Sequence, residues 1–148
     1  MKLSKTIIIT LVLVIGATSA FAQLAGVWEG TGTGNAYPYP GVVIYPWQTW
    51  KGEIPLTQDV FTGEWYDDLG NHGIFKGVVE FSSIPEIAYA KGAWYWYDPT
   101  GPANQPVYGG KFEMTFWFLE ERCEGTWNSI WPSPGPPGTM TGWKVSPD

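Results

Sequence analysis

The chain has 148 residues, 17% of them aromatic and 15% charged, with ten tryptophans and a formal net charge of −6. Its eight Lys and Arg are sparse and scattered along the sequence, which sets nucleic acid and anionic membrane surfaces aside as expected partners. The single cysteine, Cys123, cannot close an intramolecular disulfide, and the single histidine, His72, excludes a metal site built on several imidazoles; no metal and no cofactor are expected.

At the start, Lys2 and Lys5 precede an apolar run from Thr6 to Ala17 and small residues ending Ala20-Phe21-Ala22. This is the layout of a secretory signal peptide cleaved after Ala22. The run is shorter than the roughly 20 residues needed to span a bilayer. The expectation is therefore a leader at 1–22 and one domain at 23–148, exported to the periplasm or the extracellular space, with six basic against fourteen acidic side chains.

Along the domain a glycine followed two residues later by an apolar side chain recurs: Gly26-x-Trp28, Gly52-x-Ile54, Gly63-x-Trp65, Gly77-x-Val79, Gly92-x-Trp94, Gly110-x-Phe112 and Gly125-x-Trp127, with Gly142-Trp143 as a degenerate eighth copy. Each sits in a stretch with strand periodicity, predicting strands at about 25–33, 48–57, 60–67, 73–82, 86–97, 108–119, 123–130 and 139–146. Alternation places Trp28, Ile54, Trp65, Val79, Phe81, Trp94, Trp96, Phe112, Met114, Phe116, Phe118, Trp127 and Trp131 on the glycine side. The other side carries Lys, Glu and Thr, the pattern of a solvated ladder. Glycine inside a strand costs roughly 0.5–1 kcal/mol, so its repetition calls for a gain, which sharp corners covered by neighbouring aromatics would provide. An all-β fold follows, a single antiparallel up-and-down barrel of about eight short strands; a two-sheet β-sandwich, with the glycines marking bulges, is the alternative. The repeat is thus a device for curvature and core.

In such a meander the connections after strands one, three, five and seven share one end, and they hold the irregular sequence: 34–47, 68–72, 98–107 and 131–138. Binding residues concentrate on loops carried by rigid scaffolds and at barrel mouths. The candidate ligand-binding set at that end is Tyr37, Tyr39, Tyr45, Trp47, Asp67, Asp68, His72, Tyr97, Asp98, Asn104, Tyr108 and Trp131. Flat rings interleaved with amides and carboxylates suit sugars, because rings cover apolar faces while polar groups meet hydroxyls. The competing reading is a long first loop that folds across the barrel as a lid, its tyrosines finishing the core. Asp67-Asp68-Leu69-Gly70-Asn71 lacks the ligand spacing of a calcium loop and reads as a hairpin turn. Glu120, Glu121 and Glu124 beside Arg122 read as a solvated charge cluster at the plain end.

Gly26-Val27-Trp28 near the start of an eight-stranded exported domain resembles the calycin barrels, the lipocalins and avidin-like proteins. The sequence departs from the lipocalin pattern in that its one arginine, Arg122, is not in the last strand and no C-terminal helix follows. What the resemblance implies is a ligand in the barrel mouth. The segment from Phe61 to Phe75 resembles one MORN repeat in its F-x-G-x-W start and later His-Gly, in a single copy.

Three functions compete. The first is a binding protein for a carbohydrate or small apolar ligand at the long-loop end; the second is a non-enzymatic cell-surface or envelope module whose aromatic loops contact another protein. A glycosidase is third. It would need two carboxylates across a cleft, and Asp67 or Asp68 with Asp98 is the pairing at one end. A small outer-membrane barrel would require the glycine and tryptophan face to point outward.

Overall fold

The computed structural model describes residues 23–146; the expected leader and its cleavage point lie outside them. Ten strands follow in order: β1 (Gly26–Thr33), β2 (Ala36–Tyr39), β3 (Val42–Ile44), β4 (Thr49–Ile54), β5 (Val60–Tyr66), β6 (His72–Phe81), β7 (Ile87–Trp96), β8 (Val107–Trp117), β9 (Arg122–Trp127) and β10 (Gly138–Ser146). Eight of them close an antiparallel barrel in the order β1-β10-β9-β8-β7-β6-β5-β4, so the sandwich is not formed. These eight are the expected strands. The additional β2–β3 hairpin lies in the stretch read as an irregular loop.

Period-2 burial holds along the walls, as in β4, where Trp50, Gly52 and Ile54 face in and Thr49, Lys51 and Glu53 face out. The glycines meet across strands in three places, Gly30 with Gly142, Gly52 with Gly63 and Gly77 with Gly92. A Cβ on Gly92 would lie 2.5 Å from the Cα of Gly77 and 2.0 Å from the carbonyl oxygen of Lys76, so any side chain there would force the two strands apart. The freed space is filled by rings: Phe112 covers Gly77, Phe61 and Phe75 cover Gly52, and Trp50 covers Gly142.

Three of the Gly-x-Trp copies share a further device. Trp65 of β5 lies over Gly73 of β6 and donates its indole N–H to the carbonyl of Tyr95 on β7 (2.9 Å). Trp94 of β7 lies over Gly109 of β8 and donates to Asn128 past β9 (2.8 Å). Trp127 of β9 lies over Gly138 of β10 and donates to Thr33 of β1 (3.0 Å). Each tryptophan therefore crosses one strand and bonds the next, which ties alternate strands together and satisfies a buried donor.

The interior is filled. Trp47, from the β3–β4 connection, enters the barrel mouth, stacks on Phe75 at 4.4 Å and meets Phe112 at 4.9 Å. Below it Phe61 contacts Phe116, which contacts Trp28. One residue departs from the expected facing: Phe81, at the end of β6, is 53% exposed beside Phe118. Trp143, which follows Gly142 by one position instead of two, faces outward and is 48% exposed.

Outward positions carry Lys51, Glu53, Lys76, Glu80, Lys91, Lys111, Glu113 and Glu124, all exposed. The apolar face thus points inward, the reverse of a lipid-facing barrel, whose outer band is apolar. Among the described residues no helix is long and apolar enough to cross a membrane.

Candidate functional site

The four long connections gather at one end because alternate turns of a meander must. The first of them, carrying β2–β3, lies across the other three: the N–H of Tyr37 donates to the carbonyl of Pro132, that of Tyr45 to the Asp67 carboxylate, and the Tyr39 hydroxyl to the Asp98 carboxylate. It is a lid. The residues by which it completes the core are Ala36, Ile44 and Trp47, all at 0% exposure, whereas Tyr37 and Tyr39 remain exposed and Tyr45 half-buried. The expectation that the tyrosines would finish the core is thereby corrected. β2 pairs with β3 in alternating faces, and its odd-numbered tyrosines take the outer one.

Trp47 accordingly leaves the set of ligand-facing residues. Asp67 does as well. It is 9% exposed and its two oxygens accept from the N–H groups of Leu69 (3.0 Å), Asn71 (2.8 Å) and Tyr45 (3.1 Å) and from the Asn71 side-chain amide (2.9 Å). This is a carboxylate organising a hairpin turn and anchoring the lid, with Gly70 at a φ of 86° completing the turn. Trp131 packs edge-on against Trp94 and Trp96, half-buried beneath the last loop. Asp68 is exposed, its N–H bonded to the Gln48 side chain (2.8 Å).

Four of the expected residues do come together. His72, Tyr97, Asp98 and Asn104 line a groove of about 510 Å³ between the β5–β6 turn and the β7–β8 loop, joined there by Glu64 and Asn71. Cross-strand pairing builds its floor. Tyr66 is opposite His72, and the N–H of Tyr97 bonds the His72 carbonyl. The imidazole consequently lies between two phenol rings, 6.3 Å from Tyr66 and nearly parallel to it, and 5.0 Å from Tyr97. The Tyr66 hydroxyl donates to Glu64, and that bond raises its pKa above the usual tyrosine value. Asn104 enters the far wall in the left-handed conformation (φ 63°), which asparagine tolerates better than most residues. Tyr108 lies elsewhere, on the outer wall of β8 beside Lys111.

Asp98 holds the loop in place. It accepts from the Tyr39 hydroxyl and from the N–H (2.9 Å) and hydroxyl (2.8 Å) of Thr100. The Tyr39 bond first, then the Thr100 N–H, holds its carboxyl below the ordinary value, while Tyr39 is raised by the same bond. In the expected pairing of Asp67 or Asp68 with Asp98, Asp67 and Asp98 are both engaged as hydrogen-bond acceptors within the loops, while Asp68 is exposed. The arrangement is suited to binding: ring faces, amides and a carboxylate around an open, half-polar groove.

Glu64 was legible only as a member of the charged ladder. Its place in the groove beside His72, and the stacking of Tyr66 on that imidazole, depend on the register that sets Tyr66 opposite His72. Comparison with protein-family models, with curated proteins and with solved structures found no match to this chain.

Proposed function

We propose that this domain is an exported binding protein that engages a carbohydrate at the groove between the β5–β6 turn and the β7–β8 loop. The observation that carries the reading is the imidazole of His72 held between Tyr66 and Tyr97, with Asn71, Asp98 and Asn104 around it. Rings of this kind cover the apolar face of a pyranose while amides and carboxylates meet its hydroxyls. The site lies outside the barrel, because the interior is occupied by Trp47 and the rings beneath it. That same filling argues against an apolar ligand in the mouth, the expectation attached to a calycin-type cup.

A titration of neutral oligosaccharides followed by calorimetry and by amide shifts tests the reading. Shifts should cluster at 64–72 and 97–104, and Tyr97→Ala and Asn104→Ala should each weaken binding about tenfold, as loss of one stacking or hydrogen-bonding group does. If no glycan binds, or if binding persists in both variants, the groove is not the site.

A second reading, a protein-interaction module, draws on exposed apolar side chains at the long-loop end, Tyr37, Tyr39, Leu69 and Ile130. Such a patch suits a partner surface. Self-association or capture of a partner that is lost in Leu69→Ser and Ile130→Ser, with no glycan affinity, would select it.

A further inference from the structure

The chain is acidic, and its lysines are far apart in sequence, yet the barrel collects three of them. Lys76 and Lys111 stand on either side of Ala93 in one cross-strand row, and Lys91 stands in the next row between Val78 and Glu113. They line one depression of about 640 Å³ on the outer wall of β6, β7 and β8, with Val60, Val78, Ala93 and Tyr108. The glycine corner accounts for the hollow: Gly77 and Gly92 draw the wall inward onto Phe112, and the outside is left concave. The equivalent corner at Gly52 and Gly63 makes a smaller hollow with Lys51 set among Glu53 and Glu64. Of these two corners, positive charges predominate at Gly77 and Gly92, Glu113 being the one acid in the lining. Arg122 is neutralised by Glu120 at 3.4 Å and Glu124 at 3.6 Å. Among the described residues none of Lys76, Lys91 and Lys111 has a carboxylate within the 4.0 Å of an ion pair.

We propose that this hollow is a second binding site, for the carboxylate or sulfate groups of an acidic polysaccharide. Three amines against one carboxylate, around a concave apolar floor, fit repeated anions on a chain of rings. The alternatives fit less well. A bilayer is flat, whereas the lysines stand around a hollow, and the same wall also exposes Glu80 and Glu113. An extended peptide would look for a free strand edge, and β6, β7 and β8 are each paired on both sides. The hollow lies farther down the same wall than the rim groove: along the outer face of β6 from His72 to Val78, about 20 Å at strand spacing, the neighbouring strand and loop positions present Tyr97, Tyr95 and Tyr108, the last two with rings 5.9 Å apart. One chain lying along this wall would meet rings first and amines next. The identification of the ligand as a carbohydrate rests on the reading of the rim groove; the anion site itself rests on the lysines.

The experiment titrates the full domain with polygalacturonate, dextran sulfate, neutral dextran, poly-glutamate and phosphatidylglycerol vesicles. Calorimetry is read for the parent domain, Lys76→Gln, Lys91→Gln, Lys111→Gln and Lys51→Gln. The last removes the same charge from another part of the wall and controls for net charge. Binding of polygalacturonate, dextran sulfate or both is expected, the two arms separating carboxylate from sulfate. Each of the three hollow variants should weaken it by about tenfold, since a charge-assisted hydrogen bond is lost, and Lys51→Gln by less than about twofold. Amide shifts at 76, 91 and 111 would locate the ligand. The proposal is overturned if neither acidic polysaccharide binds, if Lys51→Gln weakens binding as much as the hollow variants, or if poly-glutamate or vesicles bind equally well. Tyr97→Ala separates the two readings. Loss of neutral glycan in that variant with retained lysine dependence supports both sites, whereas lysine-dependent binding of acidic chains without any neutral glycan affinity leaves the anion site standing alone.

Discussion

Trp47 concentrates several unusual properties in one residue. Its backbone is left-handed (φ 65°), its side chain is at 0% exposure in the centre of the barrel, and its indole N–H is buried without a partner. Both the conformation and the orphan donor cost free energy, of order 1–3 kcal/mol each, so the ring contacts with Phe75, Phe112 and Trp50 must outweigh them. Trp47→Ala should lower stability in urea by about 3–5 kcal/mol and leave a cavity that takes up indole, seen as partial recovery of the melting temperature. No recovery would mean that the lid collapses into the space. Cys123 is a simpler case. It is buried on β9 and burial, then the neighbouring Glu124, pushes its thiol pKa well above the usual value. It should react with a thiol reagent only on unfolding, so a fast reaction in native conditions would show that the β9 wall opens. Tyr39 and Asp98 predict a pH window. Asp98 is depressed below 3.8 and Tyr39 raised above 10.0, so the tie is fully present between those values. It is lost as pH falls through the lowered carboxyl value or rises through the raised phenol value. The difference in β7–β8 loop amide shifts between the parent and Tyr39→Phe should hold between pH 5 and 9 and shrink as the pH falls below 3.8, since the variant lacks only the contribution of that bond.

At the level of elements, strand number and facing follow from local pattern, and they were legible in the sequence. The pleat forces i and i+2 onto one side, so Gly63 and Trp65, or Gly92 and Trp94, declare the inner face without knowledge of any neighbour. The β2–β3 hairpin was not legible. Its strands are four and three residues long, interrupted by Pro38, too short for alternation to register. Trp143 neighbours a core glycine and still faces outward, because parity and not proximity decides facing. The corner pairs make a sharp prediction. Gly92→Ala would set a methyl 2.0 Å from the Lys76 carbonyl oxygen, so it should destabilise by at least the 1–3 kcal/mol of ordinary overpacking, with shifts spreading through β6 and β7. An equilibrium unfolding curve that coincides with the parent would remove the corner from the account of the fold.

Over the whole molecule, closure governs both folding and function. β1 must pair with β10 at the far end of the chain as well as with β4, a non-local requirement of the kind that slows folding. The same closure sorts the loops to one end and sets the rim groove between the β5–β6 turn and the β7–β8 loop. Part of this was latent in the sequence. Each lysine of the outer hollow adjoins a glycine, as Lys76-Gly77, Lys91-Gly92 and Gly110-Lys111, yet only the register that pairs Gly77 with Gly92 turns three scattered charges into a cluster. The sequence by itself determined eight strands, their inner and outer faces and the end that bears the long loops, because these depend on alternation within a few residues. The tertiary structure decided that the barrel is filled, that Trp47 and Asp67 belong to packing and turn, and which rings and charges stand side by side, because those depend on pairing between residues distant along the chain.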